Sequence, residues 1–128
     1  FGMNSNSDND MYLIAGGVGI TPFRAMIPDF IKKNKKVVLI YSAESIREMA
    51  YYSYFKQLND QKEITFIAYE TNKNNYLNTD LLKKIYGVNT SISNTYICGP
   101  EPMMISVKKS LNELGIQKSQ IFTEEFKF

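Results

Sequence analysis

Residues 11–23 read Met11-Tyr12-Leu13-Ile14-Ala15-Gly16-Gly17-Val18-Gly19-Ile20-Thr21-Pro22-Phe23. An apolar run stops at three closely spaced glycines, and Thr21-Pro22 then supplies a helix start signal. Met11 to Ala15 shows no polar alternation, the pattern of a strand covered on both faces. A buried strand that turns through glycines into a helix makes a phosphate cradle. Backbone N–H groups converge there, the helix dipole favours negative charge, and glycine allows close approach. The same succession also serves as a plain tight turn, so the rest of the chain has to decide between the two.

Downstream, strands and helices alternate. Thr21 to Asn34 reads as a helix with Thr21 as N-cap, Pro22 at the first helical position, and Pro28 inside it as a source of a kink. Val37 to Tyr41 is a second buried strand. Ser45 and Glu48 have capping-box spacing and predict a second helix, whose apolar stripe comes from Tyr51, Tyr52, Tyr54, Phe55 and Leu58. Ile64 to Tyr69 is a third strand, 71–75 a polar loop, and Asn78 to Tyr86 a short helix closed by Gly87. Thr95 to Cys98 is a fourth strand running into Gly99-Pro100, followed by a helix from Glu101 to Leu114 ended by Gly115. Gln120 to Thr123 is a fifth strand and Glu124 to Phe128 a tail. Such alternation predicts βαβ units with right-handed crossovers: an α/β, doubly wound, Rossmann-like fold. Its five-stranded parallel sheet has the order 3-2-1-4-5, with helices on both faces.

At 128 residues this is one domain, large enough for a real core. Residues 1–10 form a polar lead-in and 11–128 the domain. The net charge of +2 and the absence of any dense basic run give no nucleic-acid surface, and Lys32-Lys33 and Lys35-Lys36 read as a solvated helix end. The chain has no histidine and one cysteine, which excludes His-dependent triads, His-bearing zinc sites and an intrachain disulfide. No metal site is expected. A single cysteine fits a reducing, cytoplasmic setting. No stretch has the length of a membrane span, and Asn4 to Asp10 is not a signal peptide. The chain opens on Phe1 and reads as a piece of something longer.

In a 3-2-1-4-5 sheet the first and fourth strands are neighbours, so the turns at Gly16-Gly17 and Cys98-Gly99-Pro100 flank one crevice. Each opens a helix, at Thr21-Pro22 and at Glu101-Pro102, which suits a pyrophosphate. Cys98 lies at the lip of that crevice. Without a histidine partner it is no nucleophile, and cysteine more often serves as a small buried hydrophobe.

Three motifs carry a family resemblance: Gly16 to Phe23, Tyr96-Ile97-Cys98-Gly99-Pro100-Glu101-Pro102-Met103-Met104, and Thr123-Glu124-Glu125-Phe126. In order and spacing they resemble the pyridine-nucleotide domain of the ferredoxin–NADP⁺ reductase superfamily, over essentially the whole chain. The resemblance implies that NADH or NADPH lies across the sheet edge and exchanges a hydride with FAD or FMN held by a separate upstream domain. It implies that Gly16, Gly17, Val18 and Gly19 form the pyrophosphate turn, and that Thr21 and Pro22 open the helix, Thr21 with a hydroxyl near the pyrophosphate or nicotinamide. It places Cys98, Gly99 and Pro100 beside the nicotinamide, Cys98 as a packing and positioning group, and adds Met103 to the cofactor-binding residues. Glu124 and Phe126 match the Glu-x-Phe near the flavin–nicotinamide contact, so Cys98 and Glu124 are the candidates for catalytic positions. Phe1-Gly2 resembles the end of a turn that closes the flavin domain, whose Arg-x-Tyr-Ser/Thr signature is absent from these residues. The implied partners are that domain and an electron acceptor of iron–sulfur, haem or oxygenase type.

Nucleotide choice is a matter of charge. The second strand is followed by Ser42-Ala43-Glu44-Ser45 and the third ends in Tyr69-Glu70-Thr71. NADP-preferring relatives often carry Ser-Arg where Glu70-Thr71 stands. A carboxylate there repels a 2′-phosphate and can accept from a ribose hydroxyl, which favours NADH, while Arg47 and Lys73 lie close enough to oppose it. Ser42, Glu44 and Glu70 are the candidate ribose-side residues. Two other readings remain open: a flavodoxin-like carrier of flavin mononucleotide, and a non-catalytic nucleotide-binding or docking module. A P-loop nucleotidase is excluded because no Gly-Lys-Ser/Thr follows the glycines.

Overall fold

A computed structural model describes residues 9–125. Five parallel strands, β1 (Asp10–Gly16), β2 (Val37–Ala43), β3 (Thr65–Glu70), β4 (Ser93–Gly99) and β5 (Ile121–Glu125), form one sheet in the order β3-β2-β1-β4-β5. The expected fold class and strand order are those observed. Helices α1 (Thr21–Lys32) and α2 (Tyr52–Asp60) belong to one face. On the other lie α4 (Thr79–Tyr86) and α5 (Glu101–Glu113), while a single helical turn, α3 (Thr71–Asn74), follows β3.

The strands carry no polar alternation because both faces are buried. Met11, Leu13 and Ala15 of β1, with Leu39 and Tyr41 of β2, pack against Phe23, Ile27 and Phe30 of α1 and Phe55 of α2. The intervening Tyr12, Ile14, Val38, Ile40 and Ile97 pack against Leu82 and Tyr86 of α4 and Val107 and Leu111 of α5. Each fully buried Leu, Ile, Phe or Met among them adds roughly 1.5–3 kcal/mol relative to exposure. On the second face the Tyr12 and Tyr86 rings stack at 4.0 Å, and the buried Tyr86 hydroxyl is 2.6 Å from that of Thr95.

Several expected boundaries are corrected. Gly17–Ile20 forms a 3₁₀ turn that feeds straight into α1, so Ile20 is the N-cap and Thr21 is the first helical residue. Pro28 sits inside α1, where the sequence places it. The Ser45–Glu48 capping box is not formed. Ser45 caps only a 3₁₀ turn, Ile46–Glu48, and makes no side-chain bond there. The Glu48 N–H donates to the Ser45 carbonyl at 3.1 Å, Glu70 from β3 accepts the Ile46 N–H at 3.2 Å, and Tyr51 in the left-handed region (φ 63°) delays α2 to Tyr52. Of the expected stripe, Phe55 is buried, Tyr52, Tyr54 and Leu58 are half-buried, and Tyr51 is exposed. Arg24 of α1 covers the Tyr54 ring at 3.9 Å and so joins the two helices. Asn78 caps α4 by accepting from Leu81 N–H at 2.9 Å, as its position in the sequence suggests.

Candidate functional site

The site follows from what the strands lack at their carboxyl ends. Side chains alternate faces along a strand, so Gly16, Ser42 and Gly99 continue the rows of Ile14, Ile40 and Ile97 on the α4/α5 face. Gly16 pairs with Ser42, Ser42 with Tyr69, and Ala15 with Cys98, which puts Gly99 beside Gly16. Across the top of the sheet the row therefore reads Tyr69, Ser42, Gly16, Gly99. Its middle has almost no side-chain volume.

The hollow that results is about 370 Å³ and is walled by Ser42, Tyr76, Leu77, Pro100, Met103 and Val107, within the range of small-molecule sites. A larger hollow of about 480 Å³ lies at the opposite ends of β2 and β3, rimmed by Lys35, Lys36 and Lys62. The smaller one is the better ligand candidate. It has apolar walls, and it lies beyond the carboxyl ends of the strands at the switch point of the sheet.

The two glycine turns converge, as expected. A Cβ on Gly19 would collide with the Cys98 carbonyl and lie 2.9 Å from the Gly99 nitrogen. A Cβ on Gly99 would lie 3.2 Å from the Gly16 nitrogen and 2.7 Å from Met103 Cε, and one on Gly16 would collide with Met103 Sδ. Gly16, Gly19 and Gly99 thus let the turns touch each other. Gly17 differs: its φ is +55° and a Cβ there would meet nothing within 4 Å. It is exposed beside Val18, which is 52% exposed, so the open side of the cradle is at Gly17-Val18.

The helix starts are unequal. α5 is capped by Pro100 and carries Glu101 and Pro102 in its first turn. Two prolines remove donors and a carboxylate opposes an anion. The 3₁₀ turn Gly17–Ile20 and the start of α1 contain no acidic residue, although Pro22 also lacks an N–H. The first turn therefore suits an anion better than the second, which contributes apolar wall residues. Thr21, at the mouth, is exposed.

Cys98 is fully buried. Its backbone borders the crevice through Gly19, while its side chain joins the core beside Tyr96 on the α1 face. Burial first, and the Glu124 carboxylate second, raise its thiol from 9.0 to about 11. Iodoacetamide at pH 8 should leave native Cys98 unmodified and label it only in denaturant; rapid native labelling would contradict this burial. Because the folded-state value is raised, the associated stability is full below pH 9 and falls as pH rises toward 11, which alkaline unfolding of wild type against Cys98→Ala would register.

Glu70 is 15% exposed, and both of its oxygens are engaged within the protein. Oε2 accepts from Ile46 N–H, and Oε1 is 3.3 Å from Lys73 Nζ. Its charge remains near the crevice edge, but its free acceptor capacity is small. Glu44 at the end of the β2 turn is exposed, with its carbonyl held by Asn72 N–H at 3.2 Å. Glu124 lies in β5, exposed, opposite Cys98, and Phe126 lies outside the described residues. Tyr69, Tyr76 and Leu77 were not anticipated. Tyr76, 80% exposed, sits in an Asn/Lys-rich stretch with no periodic signal, and only the α3–α4 connection brings it over the crevice.

The fold and crevice define a doubly wound nucleotide-binding domain. Residues 13–109 match the model of the oxidoreductase NAD-binding domain, and the chain belongs to that family. It is 28% identical to flavohemoprotein B of Dictyostelium discoideum over 98% of this chain and 32% of that protein. It is 30% identical to a component of the Na(+)-translocating NADH-quinone reductase of Klebsiella pneumoniae, over 94% of this chain and 33% of that one. The FAD/NAD-binding domain of nitric oxide dioxygenase from Vibrio cholerae superposes with a TM-score of 0.73 at 25% identity, covering 93% of this chain and 52% of that one. The chain spans about a third of the length of the curated relatives it matches. Among the described residues no helix is long and apolar enough to cross a membrane.

Proposed function

We propose that this chain binds NADH across the carboxyl edge of its sheet and positions the nicotinamide for hydride exchange with a flavin on a separate domain. The observation that carries the reading is the row of small residues Ser42, Gly16 and Gly99, with almost no side-chain volume, walled by Tyr76, Pro100 and Met103. A flat heterocycle and its ribose fit such a hollow at the β2 end, the pyrophosphate lies along Gly17-Val18, and Thr21 offers a hydroxyl beside it. The nicotinamide then falls toward Gly99, where the Cys98 backbone fixes the turn. Glu124 stands on the neighbouring strand, opposite Cys98. Bound nicotinamide supplies the hydride; the chain's own residues hold it, aim it and shield one face.

Support for a flavin partner, FAD or FMN, comes from the relatives, three named as flavohemoproteins and one as an FAD/NAD-binding domain. Their names also suit haem or quinone as a later acceptor, beside the iron–sulfur and oxygenase types that the family resemblance implies. NADH is the favoured nucleotide in this reading because Glu70 pairs with Lys73 at 3.3 Å and so withholds that cation from a 2′-phosphate, while the exposed Glu44 can accept from the 2′-hydroxyl.

Calorimetric titration with NADH and NADPH tests the proposal. NADH is expected to bind with the lower Kd, to a chain that shows no flavin absorbance after purification. Lack of binding by either nucleotide, or stoichiometric flavin bound to this chain, would overturn it.

A further inference from the structure

Tyr69 ends the row of small residues, and its position explains how Tyr76 is held. Its ring is 9% exposed and packs within the α4/α5-side core, while its hydroxyl donates to the Asn74 carbonyl at 2.8 Å and lies 3.4 Å from that of Tyr76. The segment between is bound at several further points. Asn74 Nδ2 donates to the Glu70 carbonyl at 3.3 Å, Asn75 N–H donates to the Thr71 carbonyl at 3.1 Å, and Leu77 is 7% exposed in the same core cluster as Tyr69. Asn75 takes φ 63° and ψ −166°, a conformation that non-glycine residues adopt only where surrounding bonds enforce it. Within this frame Tyr76 is turned outward, 80% exposed, on the wall of the crevice.

We infer that Tyr69 is a positioning residue, whose hydroxyl fixes the 74–76 backbone so that Tyr76 stands ready as a stacking surface for the adenine ring. This rests on the reading that the adenosine half lies in the hollow beside Ser42. An exposed aromatic ring on a loose connection would lose stacking free energy to the cost of ordering the loop. A buried phenol anchored in the core bears that cost during folding instead. Tyr69 has no contact with the nucleotide in this scheme and acts through Tyr76.

The test is a double-mutant cycle with 5′-AMP as probe, followed by NMR titration of the 128-residue chain. Tyr76→Ala should weaken 5′-AMP about tenfold or more, the scale of one base–aromatic stack. Tyr69→Phe, which retains the buried ring, should weaken it about three- to tenfold, the scale of one neutral hydrogen bond. Placed on the Tyr76→Ala background it should add nothing, and in the single variant amide exchange should accelerate across residues 72–77. Asn74→Ala removes an exposed side-chain bond on the same segment, so it tests the platform even if Tyr69→Phe destabilises the fold; its loss should be smaller and equally dependent on Tyr76. Unchanged 5′-AMP affinity in Tyr76→Ala would overturn the adenosine reading itself. A Tyr76→Ala effect without a Tyr69→Phe effect, or an equal Tyr69→Phe loss in both backgrounds, would leave that reading standing and overturn the role of Tyr69.

Discussion

Gly19→Ala is expected to lower stability by about 3 kcal/mol, near the upper end for overpacking, or roughly 10 °C in Tm for a domain of this size. NADH binding should fall below detection in the same variant. The added methyl has nowhere to go. Its obstacle is the Cys98 carbonyl, which is backbone within a buried parallel strand, and the Gly99 nitrogen stands 2.9 Å away on the same turn. Relief requires the two crevice turns to separate, and that separation spreads the N–H groups of Gly17 and Val18 away from the walls at Pro100 and Met103. Two neighbouring glycines serve as controls. Gly16→Ala meets the thioether end of Met103, a flexible side chain that can swing aside. Its cost should be smaller, and Met103→Ala should relieve it. Gly17→Ala meets open space and loses only the freedom to sit at φ +55°, about 1–2 kcal/mol. Thermal unfolding followed by circular dichroism, with NADH titration alongside, ranks the three. Equal losses at Gly19 and Gly17 would mean that the turns are not in contact in solution.

The sheet order and the crevice were legible because they depend on local chemistry repeated along the chain. A covered strand has to be apolar throughout, and glycines at a strand end beside a helix start mark where two turns can approach closely. Where the expectation failed, a 3₁₀ turn had taken the place of a helix cap. Ser45 and Glu48 have capping-box spacing, yet the Glu48 N–H goes to the Ser45 carbonyl at 3.1 Å in a 3₁₀ turn, Glu70 from 24 residues away takes the Ile46 N–H, and the box is not formed. Thr21 has the side chain of an N-cap, but the 3₁₀ turn before it already runs in helical geometry and leaves Ile20 in that place. The two helix starts looked alike in sequence, although Pro100, Glu101 and Pro102 at the second were visible there and argue against an anion. The stacking wall was the least legible part. Tyr76 has no periodic partner, and Ser42 matters for its small size as much as for its hydroxyl. Both facts appear only once the strand register sets Ser42 between Gly16 and Tyr69.

Glu70→Gln should shift nucleotide preference toward the 2′-phosphate by about tenfold, read as the ratio of Kd values for 2′,5′-ADP and 5′-AMP. The substitution is conservative where the fold depends on the residue, since the glutamine oxygen can still accept the Ile46 N–H now held at 3.2 Å. What changes is charge. Wild-type Glu70 is mostly covered and lies 3.3 Å from the ammonium of Lys73, which is itself 68% exposed. Together they present little net charge to a ligand. Without the carboxylate, one repulsive charge disappears and one cation is released, both near the end of β3. At the partly solvated edge of a protein a charge contact of this kind amounts to about 1–2 kcal/mol, or roughly tenfold. The gain should shrink with added salt, because the Debye length falls to about 10 Å at 0.1 M and such a site is open to ions. Affinity for 5′-AMP should stay within about twofold, because the walls of the hollow are untouched. The double variant Glu70→Gln/Lys73→Ala separates the two contributions. If the released lysine is the phosphate's partner, most of the gain disappears with it. If the gain persists in full, relief of repulsion alone sets the preference. No gain in either variant would show that Glu70 plays no part in nucleotide choice, and would leave the exposed Glu44 at the end of the β2 turn as the acidic residue that excludes the phosphate.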